Sequence, residues 1–199
     1  MTLILDAAVR VMRRNGYAAA SVADILDEAD LSTRAFYRHF DSKDALLRAM
    51  YRRDADAVAA ELRAATEAAP DPVAALEAWV DGFLALFFDP RRVDRSAVMI
   101  SEGTRRAAGY HEEQERAEAA IVAPLADVLR RGNAQGLLRS VAPIRDAYAI
   151  YAVATSASGS KRTVEAGRFD RTAARAHVAR FCWPALGLAP IPHGPSRKR

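Results

Sequence analysis

Cysteine is almost missing from this chain. Cys182 stands alone among 199 residues, which excludes an internal disulfide and a cysteine-based zinc cluster. Lysine is scarce too, with 3 residues against 26 arginines. Ten glycines and nine prolines leave few places where a helix must stop. No apolar run approaches the ~18 residues of a membrane helix, so no membrane partner is expected. The start, Met1-Thr2-Leu3-Ile4-Leu5-Asp6, has neither the basic opening nor the long apolar centre of a signal peptide. A cytoplasmic protein is expected. Gly-rich phosphate loops, nucleophile elbows and His-Glu-x-x-His motifs are lacking, so no enzyme, no catalytic residue and no cofactor are predicted. His111 and His177 have no carboxylate or thiol at metal-ligand spacing, so no metal is assigned.

What remains is helix-forming material. The chain holds 44 alanines, and apolar residues reach 51%. The expected fold class is all-α. The net charge of +4 permits a nucleic-acid partner without demonstrating one.

A first helix is read from Thr2 to Asn15, with Leu3, Ala7 and Val11 four apart and Gly16 as its stop. Ser21 then opens a short helix as N-cap, with Asp24 completing a near capping box. Ala29, Asp30 and Leu31 form a tight turn. Ser32 caps a third helix running to about His39, with Phe36 and Phe40 facing inward. Asp41 and Ser42 cap a fourth that continues to about Ala68. Two short helices joined by a tight turn make a helix-turn-helix pattern, here residues 21–40.

Further along, Pro70 and Pro72 break the chain before an apolar helix carrying Leu76, Trp79, Phe83 and Phe87. A mixed segment follows over 93–106. A long amphipathic helix from Tyr110 to Arg131 contains Pro124, expected to kink it. Glu112 to Glu118 read as its solvated face. Two more helices span about 143–161 and 169–186. The tail, 189–199, is basic and read as disordered.

The run Leu31-Ser32-Thr33-Arg34-Ala35-Phe36-Tyr37-Arg38-His39-Phe40-Asp41-Ser42-Lys43-Asp44-Ala45-Leu46-Leu47 closely resembles the signature of the TetR-type (tetracycline-repressor-like) transcriptional regulators. The match lies in Phe36, Tyr37, His39 and Phe40, followed by Ser42, Lys43, Asp44 and Leu46. Gly16-Tyr17 and Ser21-Val22-x-x-Ile25 also fit. It departs at Asp30, where the family usually carries glycine; aspartate tolerates a left-handed backbone better than most residues.

The resemblance implies an N-terminal three-helix DNA-binding domain at 1–50 and a C-terminal helical ligand-binding and dimerisation domain at 51–188. It implies DNA contacts at Ser21, Ser32, Thr33, Arg34, Tyr37, His39 and Lys43. The residues themselves are suited to this. Arg34 can pair bidentately with guanine, and Tyr37 can donate to phosphate. A phosphate at Lys43 would suit the helix start better than the bare cation does. His39 is open between a phosphate contact and a tie at the helix end.

An apolar effector pocket is expected from Trp79, Phe83, Phe87, Met99, Gln114, Leu125, Tyr148, Tyr151 and Thr155. Helical spacing of the aromatics is equally explained by core packing. The small residues Ala147, Ala149, Ala152, Ala154, Ser156, Ala157, Ser158 and Gly159, with Ala173, Ala176, Val178, Ala179 and Phe181, suggest a homodimer interface. The implied function is a repressor released from a near-palindromic double-stranded DNA operator by a small apolar molecule. A DNA-binding regulator without a ligand is the alternative, and a helical enzyme the remote one.

Overall fold

The computed structural model describes residues 2–89, 102–158 and 170–189. Within them every regular element is a helix. They are α1 (Thr2–Ala19), α2 (Val22–Ala29), α3 (Thr33–Tyr37), α4 (Lys43–Ala68), α5 (Pro72–Phe88), α6 (Glu102–Arg105), α7 (Tyr110–Ala134), α8 (Pro143–Ala157) and α9 (Arg171–Cys182). A short 3-10 turn, Pro184–Leu186, follows α9. No described helix is long and apolar enough to cross a membrane. Met99 and Gly159, and the tail except Ala189, lie outside the described residues.

The chain divides into two compact units. One is Met1–Ala57 with Pro90–Ala119, and the other is Val58–Asp89 with Ala120–Arg199. In the first unit, Ile4, Leu5, Ala8, Val11 and Met12 of α1 are buried with Ile25 and Leu26 of α2, Phe36, Phe40, and Leu46, Leu47 and Met50 of α4. These sit at the i, i+3, i+4 spacing that puts apolar side chains on one helix face. Burial of each large side chain among them contributes about 1.5–3 kcal/mol, which offsets the entropy of ordering the four helices.

This unit departs from the expected 1–50 domain because it also takes in the chain around the start of α7. The reason is a polar stripe on α4. Asp44, Arg48, Arg52 and Asp56 recur every fourth residue and so share one face. Ala108 N–H donates to Asp44 Oδ2 at 3.0 Å, and Arg48 Nη1 donates to the Ala108 carbonyl at 2.7 Å. Arg52 binds Glu113 through two N–H groups, at 3.1 and 2.6 Å. Arg116 donates to Asp56 Oδ1 at 3.0 Å and also to Glu113. Glu113, read from sequence as part of a solvated face, is 5% exposed. Its carboxyl lies below the usual carboxylate range because Arg52, and then Arg116, donate to it. Gly109 makes the turn possible. It adopts φ +74, and a Cβ there would meet Arg48 Cδ at 2.9 Å.

In the second unit, α9 packs against α8 and α5. Asp71 caps α5 by accepting from Val73 N–H (2.8 Å) and Ala74 N–H (2.9 Å), with Pro72 at the first helical position. Asp170 caps α9 likewise, accepting from Ala173 N–H at 2.7 Å. Pro124 lies inside one continuous α7. Trp79, Leu76, Leu84, Leu125 and Leu129 form the centre of the core. Cys182 is buried there, and burial pushes its thiol up to about 11, which makes it an unreactive core residue.

Candidate nucleic-acid interface

The helix-turn-helix is built by three caps. Ser21 Oγ accepts from Asp24 N–H at 3.1 Å, and Asp24 Oδ2 accepts from Ser21 N–H at 2.9 Å, completing the capping box. Ser32 Oγ accepts from Ala35 N–H at 3.3 Å to start α3. Ser42 Oγ accepts from Ala45 N–H at 3.0 Å to start α4. Between α2 and α3, Asp30 stands at φ 53, ψ 50, the left-handed conformation that the turn requires. Its N–H reaches back to the carbonyls of Leu26 and Asp27.

Helix α3 is shorter than expected. It ends at Tyr37, and His39 N–H turns back to the Phe36 carbonyl at 2.8 Å. Phe36 anchors the helix, fully buried, with the Tyr37 ring edge-on to it at 5.3 Å and Phe40 at 5.7 Å. This fixes what faces outward. Ser32, Thr33, Arg34, Tyr37, Arg38 and His39 are all exposed, Tyr37 by 58%. Ser32, Arg34, Ala35, Tyr37 and Arg38 line a shallow surface concavity of about 530 Å³.

The charges are distributed unevenly. Glu28 binds Arg10 Nε at 2.7 Å and Arg14 Nη2 at 2.6 Å, which holds its carboxyl below the usual range. Two α1 cations are thereby neutralised. Arg34 and Arg38 have no ion pair among the described residues; both are exposed, Arg34 in the first turn of α3 and Arg38 at its C-cap. Arg38 is not among the DNA-contacting residues that the resemblance implies. Its i+4 spacing from Arg34 was the available signal.

Of the sequence-predicted DNA residues, Ser32, Arg34 and Tyr37 share this concavity, and Thr33 and His39 are exposed next to them in sequence. The other two are engaged nearby. Ser21 Oγ donates to Asp24 Oδ2 at 2.7 Å as well as accepting from that residue's N–H. Lys43 Nζ donates to the Tyr17 and Ala20 carbonyls at 3.0 and 2.9 Å.

The sequence-predicted ligand residues are only partly brought together. Trp79 and Phe83 stack at 5.1 Å, and Phe83 meets Phe87 at 5.4 Å and Tyr151 at 5.3 Å. Leu125 is buried in the same core. Trp79 is fully buried, and its Nε1–H donates to the Ile121 carbonyl at 3.1 Å. Tyr148 and Thr155 lie on the exposed side of α8, because Ala147, Ile150, Ala154 and Ala157 occupy its inner side. Gln114 belongs to the first unit and donates to Glu118 at 2.9 Å. Of the small residues suggested for an interface, Ala147, Ala154, Ala157, Ser158, Val178 and Ala179 are buried in their own core. Ala149, Ala152, Ser156, Ala173, Ala176 and Phe181 are exposed. Among the described residues no cluster of three His, Cys, Asp or Glu could hold a metal ion.

Residues 4–50 match the family model described as bacterial regulatory proteins, tetR family. No curated protein matches the chain with significance. Solved structures share the fold. The transcriptional regulator FadR from Bacillus subtilis, in complex with stearoyl-CoA, has a TM-score of 0.74 at 15% identity, over 93% of this chain and 98% of that one. A TetR transcription regulator from Haloarcula marismortui has 0.69 at 20%, over 94% and 95%. A TetR-family regulator from Mesorhizobium loti has 0.69 at 20%, over 89% and 92%. The matched family and these structures are regulators, not enzymes. The exposed α3 thus lies within an N-terminal segment that matches the tetR-family model, and the chain shares the helical fold of those regulators.

Proposed function

We propose that the protein is a homodimeric repressor, acting in the cytoplasm, that leaves a near-palindromic operator when a small apolar molecule binds its C-terminal domain. The observation that carries the DNA reading is the exposed pair of guanidinium groups, Arg34 and Arg38, at the two ends of α3, with no ion pair among the described residues. An arginine without a carboxylate partner stands ready for phosphate or for the two acceptors of guanine. Arg34, at the start of α3, is assigned to base edges. Arg38, Tyr37, Thr33, Ser32 and His39 are assigned to phosphate and groove contacts. Ser21 is assigned to holding the motif in shape.

The dimer is supported by large apolar side chains left in solvent on α8 and α9. Ile144 is 58% exposed, Tyr148 38% and Phe181 57%. Ile144, Tyr148 and Ala152 recur every fourth residue, and a second copy would cover such a stripe. Two recognition helices related by a two-fold axis read inverted half-sites.

The effector is proposed to be apolar because Trp79, Phe83, Phe87, Leu125 and Tyr151 offer it aromatic and aliphatic walls. The stearoyl-CoA held by the similar Bacillus subtilis FadR supports that class. One observation favours a regulator without a ligand: these rings already stack on one another, so entry requires them to part.

Native mass spectrometry of the purified protein, followed by gel shift with any co-purified molecule, separates the two readings. Ligand-driven release predicts a co-purified apolar molecule that weakens operator binding about 5- to 150-fold. A bound molecule that leaves operator affinity unchanged excludes it as the inducer.

A further inference from the structure

The concavity over α3 is polar everywhere but at one place. Ser32, Arg34, Tyr37 and Arg38 each bring a hydroxyl or a guanidinium to it. Ala35 brings only a methyl group. It is half-buried, so part of its surface stays open to the concavity.

Helical spacing frames that methyl. Arg38, at the C-cap, keeps helical backbone angles (φ -68, ψ -23), and its N–H donates to the Arg34 carbonyl at 3.2 Å. Arg34 and Tyr37, Ala35 and Arg38, and Arg34 and Arg38 are therefore neighbours at three and four residues apart. The orientation of Ala35 is held by its own backbone and by its neighbour. Its N–H donates to the Ser32 carbonyl at 2.9 Å, and Phe36, fully buried, keeps α3 from rolling. The lining side chains differ in reach. Arginine and tyrosine extend well beyond the helix surface, whereas alanine stops at its Cβ. Ala35 thus lies at the floor, between longer polar walls. Such a recess suits a small apolar group that projects from an otherwise polar surface. In the major groove of DNA the C5-methyl of thymine is that group, and the other three bases present none.

We infer that Ala35 reads thymine through its C5-methyl and is a specificity-determining residue beside Arg34. The inference rests on the DNA-binding reading above and adds a base to it. Consecutive Cα atoms lie about 3.8 Å apart and successive bases of one strand about 3.4 Å, so the thymine stands within about two base steps of the guanine assigned to Arg34. The contact involves no charge and no hydrogen bond. Replacing thymine by uracil deletes the methyl and leaves every groove donor and acceptor as it was.

The test uses the full-length protein and a duplex enriched by it from a random-sequence pool. The duplex is remade with uracil at one thymine position at a time, in one half-site or in both, and affinity is measured by fluorescence anisotropy at fixed salt. At one position the wild type is expected to lose roughly 4-fold for one methyl and roughly 16-fold for both half-sites. Ala35→Gly, which removes the Cβ, should bind the thymine and uracil duplexes alike there while keeping its preference for guanine. Glycine lowers helix propensity. If circular dichroism shows that variant unfolded, Ala35→Gln, which keeps the propensity and fills the recess with polar atoms, decides by the same criteria. Wild-type affinity with uracil at every thymine overturns the inference. So does a methyl-sensitive thymine that stays equally sensitive in the Ala35 variant, because another side chain then reads it. An enriched half-site with no thymine within that distance of the guanine overturns this inference alone. A wild-type chain that enriches no duplex overturns the DNA-binding reading and this inference together.

Discussion

Replacing Glu113 by glutamine isolates one charge in the stripe that ties α4 to the start of α7. Gln keeps the size and one acceptor oxygen but cannot hold two guanidinium groups as a carboxylate does. The carboxylate is 5% exposed, whereas Arg52 is 58% and Arg116 38% exposed. A hydrogen bond to a charged group contributes ~1.5–3 kcal/mol when well protected. A pair in open water contributes ~0.2–1 kcal/mol. With a buried acceptor and two wet donors the loss should fall between, at about 1–2 kcal/mol at neutral pH. For a chain of this size that lowers Tm by about 2–8 °C. The sign with pH follows from the direction of the shift. The folded carboxyl titrates below its ordinary value of 4.5. Its contribution is therefore complete above that value and disappears as pH falls through the lower, folded one. Thermal melts of both proteins from neutral pH down to about pH 3 should show a gap that closes on acidification. Equal stability at neutral pH, or a gap undiminished in acid, would refute the reasoning.

Three other changes probe separate links. Asp30→Gly removes a side chain from a left-handed position and should raise the unfolding free energy by up to about 1 kcal/mol in denaturant titration, while Asp30→Val should lower it; a less stable glycine variant would show that the aspartate side chain is itself required. Trp79→Ala opens the centre of the second core and should cost about 3–5 kcal/mol by urea unfolding; a loss under 1 kcal/mol would mean the site collapses around the change. Phe181→Glu places a charge on the face assigned to the second copy, and light scattering at micromolar concentration should find monomer where the wild type is dimeric. A dimer in the variant would move the interface elsewhere.

The N-terminal motif was legible in the sequence because its determinants are local. A cap acts over three residues, as Ser21 and Ser32 do, and the turn type is set by one residue, Asp30. Phe36 and Phe40 were readable as inward from spacing alone. The long-range partners were not readable. Glu113 looked like one more solvated acid among Glu112, Glu115 and Glu118 because its partners, Arg52 and Arg116, include one 61 positions away. Lys43 looked like a free cation because the carbonyls that hold it lie more than twenty residues earlier. The aromatic helix was readable as apolar but not as core or pocket, since rings packing on a ligand and rings packing on one another share the same spacing. Tyr148 and Thr155, expected among the pocket residues, face solvent because α8 turns Ala147, Ile150, Ala154 and Ala157 to its core.

The central claim is that a dimer reads DNA through the exposed face of α3. Selection of duplexes from a random pool, run in parallel with wild type and Arg34→Ala, tests it most directly. The wild type should enrich a near-palindrome with half-sites about one helical turn, or a multiple of it, apart. Arg34→Ala should lose about 1–3 kcal/mol of affinity and relax preference at one position in each half-site. Failure of the wild type to enrich any duplex would contradict the claim, as would an identical motif of equal affinity from Arg34→Ala.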